Sequence, residues 1–462
     1  MNNFWDPGVW GVMNIMGMLL VSLLAASLLK KAVKKLADAL IPTSVLAGGI
    51  LLVISGTYKF VTGVSLFQTP FMGGEGFAFL EMITYHALAL GFISSTFESN
   101  EGELSPKRKT EIFNTGITTV GTYLVQAIIG LAITIMAAKV IEGFFPVAGL
   151  LLPFGYGQGT GQAMNYGNIY ETQYGFAGGK SFGLTIATLG FICGSIGGVF
   201  HLSWLKKKNH LHKQSGSTMK AALDKTTKEA DIPLFENMDT LSVQVAFIMG
   251  SYLLTYVIMY ILGELASGMK SVIYGFNFLI GVLVTTVVKK VIVRLEQKGI
   301  LKKHYINDFI MVRIRNFFYD LMVVAGIAAI QISTLGGQVV VLVILCVAGA
   351  IMTFLYNRFI ARKFFPEYAE EQFVAMYGML TGTASTGLVL LRELDPEFKT
   401  PVSDNIVYQN IPAIIFGFPL MIIASNAPKA PMQTLIIAIV YFSVLNIILF
   451  RSKLFGKKEK TK

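Results

Sequence analysis

Two stretches of this chain concentrate residues suited to holding a ligand. Residues 152–171, LPFGYGQGTGQAMNYGNIYE, contain five glycines interleaved with Gln158, Thr160, Gln162 and Asn165. Residues 381–386, TGTAST, contain Thr381, Gly382, Thr383, Ser385 and Thr386. Glycine can turn with φ > 0 and lets a ligand reach the backbone. A broken helix offers free N–H groups at one half-helix start, which suit a carboxylate. At the other break it offers free C=O groups, which suit a sodium ion. Hydroxyl and carbonyl oxygens are hard ligands for an alkali cation, and neither stretch carries the Cys/His cluster that a transition metal needs. The candidate substrate-binding residues are therefore Gly157, Gln158, Gly159, Thr160, Gly161, Gln162, Asn165, Thr383, Ser385 and Thr386. Thr381, Gly382 and Thr383 are the candidate ion ligands, for sodium only. A nucleotide fingerprint is excluded, because Gly155–Gly159 has no strand before it and no Lys-Ser/Thr after it. Glycines that merely let helices pack closely are the plain alternative. Two such stretches in matching places outweigh it.

The elements that must position these residues are membrane spans. The chain has 462 residues, of which 53% are hydrophobic and only 14% charged, against roughly 25% charged in soluble proteins. Its mean hydropathy is +0.61. Apolar runs fall near 9–29, 43–62, 76–97, 112–138, 181–205, 241–262, 273–293, 316–335, 338–360, 407–425 and 432–450. Each approaches the ~20 residues needed to cross a hydrocarbon core of about 30 Å. The runs are too long and too uniform for barrel strands. The first is also too long for a signal peptide and lacks a basic leader and a cleavage site. The expected fold is thus an all-α polytopic membrane protein with about eleven transmembrane helices.

Basic residues set the topology. Lys30, Lys31, Lys34 and Lys35 follow the first run, which places that loop in the cytoplasm and the N-terminus outside. The clusters at 107–109, 206–220, 289–303 and 358–363, and the tail RSKLFGKKEKTK, all fall inside on one condition. The stretches 144–170 and 373–392 must enter and return on the same side, as re-entrant pore loops. The formal net charge of +11 then reflects topology, and no nucleic-acid partner is expected. Residues 1–205 form a first five-span repeat that starts outside. Residues 206–240 form a cytoplasmic linker, and 241–425 a second repeat that starts inside. Residues 426–462 add one more span and a basic cytoplasmic tail. Two inverted-topology repeats are a common transporter plan. Gly159-Thr160-Gly161 in one loop and Gly382-Thr383-Ala384 in the other fit it, as do Tyr85-His86 and Tyr319-Asp320.

Ionisable residues inside spans are functional candidates. His86 and Asp320 qualify, either as a facing pair that serves as an ion or proton site, or as groups satisfied separately by polar neighbours. Arg392 follows the second loop and either forks onto an acidic substrate or marks the cytoplasmic side. Cys193 and Cys346 sit in apolar runs as small buried hydrophobes. His201, His210 and His212 lack metal-site spacing. With no HExxH, no paired intramembrane aspartate motif and no Ser/His arrangement, no catalytic residue is assigned. The chain is expected to be neither an enzyme nor a cofactor protein.

Beyond these readings, the chain resembles the bacterial sodium:glutamate symporter family. The likeness rests on GQGTGQAMNYGNIYETQYGF at 157–176, which is similar to that family's first pore loop. Ile41-Pro42 ahead of VLAGG and the glycine-rich second loop add to it. The second loop departs from the family in reading GTASTGLVLL without a proline, and the run at 432–450 exceeds the usual ten spans. The resemblance implies sodium-coupled uptake of glutamate or a related carboxylate by alternating access, across a bacterial plasma membrane (the inner membrane of a Gram-negative cell), by a homodimer. A proton-coupled carboxylate or amino-acid transporter working through His86 or Asp320 is the alternative, and a passive ion channel is the third reading.

Overall fold

Helices account for nearly all of the regular structure, and their ends are written in local chemistry. In the computed structural model, residues 3–98, 105–207, 238–301, 305–396 and 398–451 are described. Most of the linker at 206–240, Lys302, Lys303 and nearly all of the basic tail lie outside them. The principal helices are α1 (Pro7–Ala32), α2 (Thr43–Thr62), α3 (Gly76–Phe97), α4 (Pro106–Val140), α5 (Leu151–Tyr174) and α6 (Gly179–Lys207). After the linker come α7 (Thr240–Leu265), α8 (Asn277–Gln297), α9 (Asp308–Ala328) and α10 (Val339–Phe364). The chain ends with α11 (Ala369–Thr381), α12 (Ala384–Arg392), α13 (Val402–Tyr408), α14 (Asn410–Asn426) and α15 (Pro431–Leu449). Ser105 caps α4 by accepting from the Arg108 N–H, with Pro106 in the first turn. Asp239 caps α7 and Asn307 caps α9 in the same way.

Among the described residues there is no strand, and nine helices are long and apolar enough to cross a membrane. The protein is an all-α membrane protein. Helix α7 buries Gln244, Ile248, Ser251, Thr255, Met259 and Gly263 along one stripe and exposes Leu253, Leu254, Ile261 and Leu265. Such a surface is a liability in water and is satisfied by acyl chains. Most of the run at 273–293 lies in α8 and 316–328 of the run at 316–335 lies in α9, but neither helix is among the nine. Both carry charge: Lys289, Lys290 and Arg294 in one, Arg313, Arg315 and Asp320 in the other. Helix α9 begins eight residues before the apolar run, where the Asn307 cap starts it ahead of Arg313 and Arg315, which interrupt the apolar pattern.

The chain divides into two compact units, and each draws on both sides of the linker. The first holds α1 as far as Leu28, α2, α3, α7, α8 and α9. There α3 lies along α9, with the Tyr319 ring seated on Gly91. Ile93, Phe97, Ile248, Ile310 and Met311 form a core beneath them. Arg315 Nη1 stands 2.7 Å from each carboxylate oxygen of Glu98, just past the end of α3.

The second unit holds α4, α5, α6 and everything from α10 to α15. Both glycine-rich stretches belong to it. Helices α11 and α12 form a hairpin whose arms touch at Gly378 and Gly387. The base of this hairpin is tied to α6 and α10. His201 Nε2 lies 2.7 Å from Glu370 Oε2, and Arg362 donates to the other oxygen at 3.2 Å. The His201 hydrogen bond, with help from Arg362, holds the Glu370 carboxyl down to about 2, below its ordinary 4.5.

A carboxylate depressed in this way adds stability that is complete above its ordinary range and is lost as pH falls through the folded value. Glu370→Gln should therefore lower the melting temperature at neutral pH. The gap to the parent should close as pH is lowered from about 4.5 towards about 2. A gap that stays constant across that window in a thermal melt would disprove this role.

Candidate functional site

The first hairpin is made by one residue. Gly159 has φ 76° and ψ −170°, inside what is otherwise helical backbone, a region open essentially to glycine alone. In an unbroken helix Phe154 and Tyr166 would stand about 18 Å apart. Their rings instead stack with centroids 3.8 Å apart, and Phe145 meets Tyr170 at 5.4 Å. The chain therefore doubles back at Gly159. The descending arm lies against α4, where Tyr123 Oη donates to the Gly157 carbonyl at 3.1 Å. The ascending arm lies against α14, where Tyr166 and Tyr170 donate to the Met421 and Ala424 carbonyls.

The second reversal lies between Thr381 and Ala384. Thr383 caps α12, its Oγ1 accepting from the Thr386 N–H at 3.3 Å. Helix α11 stops with its last carbonyls directed at neighbouring helices. Gln126 on α4 donates Nε2 to the Leu380 carbonyl and to Thr353 Oγ1, both at 2.8 Å. The Thr381 carbonyl lies against Gly190 of α6, and the Tyr156 ring of the first hairpin packs on that same glycine. The two reversals thus meet around Tyr123 and Gln126 of α4 and Gly190 of α6.

Of the residues expected to bind, Gly159, Thr160, Gly161, Gln162 and Asn165 are buried at the first reversal, and Gly157 and Gln158 are half-buried. Gln162 Oε1 accepts from Asn165 Nδ2 at 3.1 Å. Gln162 Nε2 is buried without a hydrogen-bond partner. At the second reversal Thr381, Gly382 and Thr386 are buried, Thr383 is half-buried and Ser385 is exposed. Arg392 is not brought to the reversal. It stands nine residues on, about 13 Å along the helix, with its guanidinium over the Phe398 ring at 5.4 Å.

His86 and Asp320 belong to the first unit. His86 Nδ1 lies 2.6 Å from Tyr252 Oη, and no hydrogen bond or ion pair among the described residues joins His86 to Asp320. Cys193 and Cys346 are free thiols beside Tyr156, whose hydroxyl donates to the Cys346 carbonyl at 2.7 Å. Among the described residues no group of three or more His, Cys, Asp or Glu is placed to hold a metal ion.

Sequence reasoning passed over α4. Thr115, Thr119, Thr122 and Gln126 recur at i, i+4, i+7 and i+11, one face of a 3.6-residue period. That face carries a buried polar seam. Thr115 meets Gln372, Thr119 meets Gln409, Thr122 meets Asn357 and Gln126 meets Thr353. The signal was present as spacing inside a run that otherwise reads as a plain span.

Gly159→Ala should cost about 1–3 kcal/mol, because the side chain cannot adopt that backbone. Gly250→Ala, where an added methyl meets nothing, should stay within about 0.5 kcal/mol of the parent. Denaturation of the purified variants checks this, and equal stability of the two would refute the reversal at Gly159.

Compared with models of known protein families the chain matches none, and no curated protein matches its sequence.

Proposed function

We propose that the protein is a secondary active transporter that symports sodium with glutamate or a related carboxylate by alternating access. The observation that carries this reading is the meeting of two helix reversals, one from each side of the linker, inside a single compact unit. Gln162 brings a buried, unpartnered N–H donor to the first, which is the group a carboxylate needs. The second brings the carbonyl end of α11, which favours a cation. Non-helical backbone at membrane depth is tolerated where protein or a water-filled cavity satisfies it, so both hairpins are read as re-entrant.

The order of elements supports two inverted repeats. On one side of the linker, α1, α2 and α3 join the first unit, and α4, a hairpin and α6 join the second. On the other side, α7, α8 and α9 join the first unit, and α10, a hairpin and α13–α14 join the second. In this reading α8 and α9 cross the membrane with the nine, giving eleven spans, and α15 is the addition. The N-terminus lies outside and the C-terminus in the cytoplasm of a bacterial plasma membrane, in a homodimer. Likeness to the sodium:glutamate symporter family at 157–176 names glutamate first among the carboxylates.

Protein reconstituted in liposomes should accumulate labelled glutamate only with an inward sodium gradient. Gln162→Leu, which removes the donor, should raise the half-saturating substrate concentration by about tenfold. Uptake indifferent to sodium but driven by a proton gradient would transfer the coupling to protons. Failure of every amino and organic acid tested to accumulate would refute the transporter reading.

A further inference from the structure

The seam on α4 contains oxygens that protein leaves unused. Gln126 Oε1 and Asn357 Oδ1 have no hydrogen-bond partner, although Gln126 is 0% and Asn357 1% exposed. The two side chains share one neighbour. Gln126 Nε2 donates to Thr353 Oγ1 at 2.8 Å, and Asn357 Nδ2 donates to the Thr353 carbonyl at 2.9 Å. Asn357 Nδ2 also reaches Thr122 Oγ1, at 3.3 Å and one helical turn from Gln126. Thr122 and Thr353 are themselves fully buried. Two turns of α4 and two turns of α10 thus enclose a cluster whose unpartnered side-chain atoms are both acceptors. Buried acceptors of this kind require a donor or a cation.

Two further features choose the cation. The carbonyl end of α11 abuts the cluster through the Leu380 carbonyl, which Gln126 contacts, and a helix C-terminus carries partial negative charge. The groups that bond one another here are neutral amides, hydroxyls and carbonyls. A calcium-type site draws on carboxylates to offset two charges. Neutral oxygens suit a single charge.

We propose that Gln126, Asn357, Thr122 and Thr353 hold a sodium ion in the second unit, between α4 and α10 and against the carbonyl end of α11. None of these residues was among those expected to bind from sequence. The ion's role as the coupling ion rests on the transporter reading, but its binding does not. Sodium here ties the second reversal to α4, so that the end of α11 is ordered when the ion is bound.

The test uses the full chain purified in detergent, without any organic substrate. Its melting temperature is followed as sodium chloride replaces choline chloride at constant ionic strength. The melting temperature should rise saturably with sodium. Asn357→Ala should raise the half-saturating sodium concentration by about tenfold or more. Thr122→Val and Thr353→Val, which keep shape and remove an oxygen, should also raise it, while Thr353→Ser should leave it near the parent value. The valine variants decide the matter if Asn357→Ala does not fold. A parent melt that ignores sodium, as a seam filled by water would give, overturns the site. So does a half-saturating concentration unchanged in the valine variants. Sodium-driven glutamate uptake unaffected by these substitutions would leave the transporter reading standing and remove this site. Sodium-dependent melting abolished by them, in a protein that moves no acid, would do the reverse.

Discussion

A helix that ends inside a protein leaves its last carbonyls without intrahelical N–H partners, and where they are buried other protein groups must satisfy them. Helix α11 meets this constraint at Leu380. Its carbonyl accepts from Gln126 Nε2, and that one bond has consequences along four helices. It fixes Gln126 in a dry place, where its amide needs further partners, and Thr353 on α10 supplies one. The same face of α4 then carries Thr122 to Asn357, Thr119 to Gln409 and Thr115 to Gln372. Gln372 accepts in turn from Asn405 at 3.2 Å. Each bond is worth about 1 kcal/mol net, but leaving any one of these buried groups unmade costs more. The seam therefore specifies which helices pack together more sharply than apolar contact would.

The first reversal solves the same problem with different groups. Gly159 takes the strained backbone, and Tyr123 Oη donates to the Gly157 carbonyl. Tyr123 and Gln126 are three residues apart on α4 and so share a face. One helix thus holds both broken ends, and Gly190 of α6 lies between the Tyr156 ring and the Thr381 carbonyl. Any motion that preserves these bonds must carry both reversals together with α4 and α6. Relative sliding of the two would break hydrogen bonds between buried groups.

Much of this architecture is legible in the sequence because lipid imposes long uniform runs. The runs at 43–62 and 76–97 coincide with α2 and α3 to the residue. The stretch 373–392 holds parts of two short helices broken at Gly382-Thr383, and most of 144–170 lies in the hairpin of α5. The start of α9 was less legible. Arg313 and Arg315 break the apolar run, whereas the Asn307 cap begins the helix ahead of them. The compact units were hidden for another reason. Residues 1–205 and 241–425 are linear, and each unit is assembled from pieces of both. Contacts between residues such as Gln126 and Thr353 leave no local trace in composition. His86 and Asp320 attracted attention as ionisable groups in apolar runs, but His86 is bonded to Tyr252. The neutral residues of α4, which look ordinary one at a time, carry the seam.

That neutrality bears on the symport proposed above. The side chains at both reversals, from Gln158 and Gln162 to Thr381, Thr383 and Gln126, are amides and hydroxyls. None offers a full charge to an ion. An acid with one net negative charge, taken into such a site alone, would lie uncompensated in a low-dielectric interior, at a cost of several kcal/mol. A lone monovalent cation faces the same penalty. In the proposed symporter the two would bind together as a neutral pair, and the penalty for occupying the site with one ion and not the other is what would couple them. A site with a fixed arginine at the reversal would take the acid without any cation, and Arg392, out over Phe398, is not placed to do so. In the proposed symporter, obligatory co-binding would follow from what the two reversals lack, as much as from what they present.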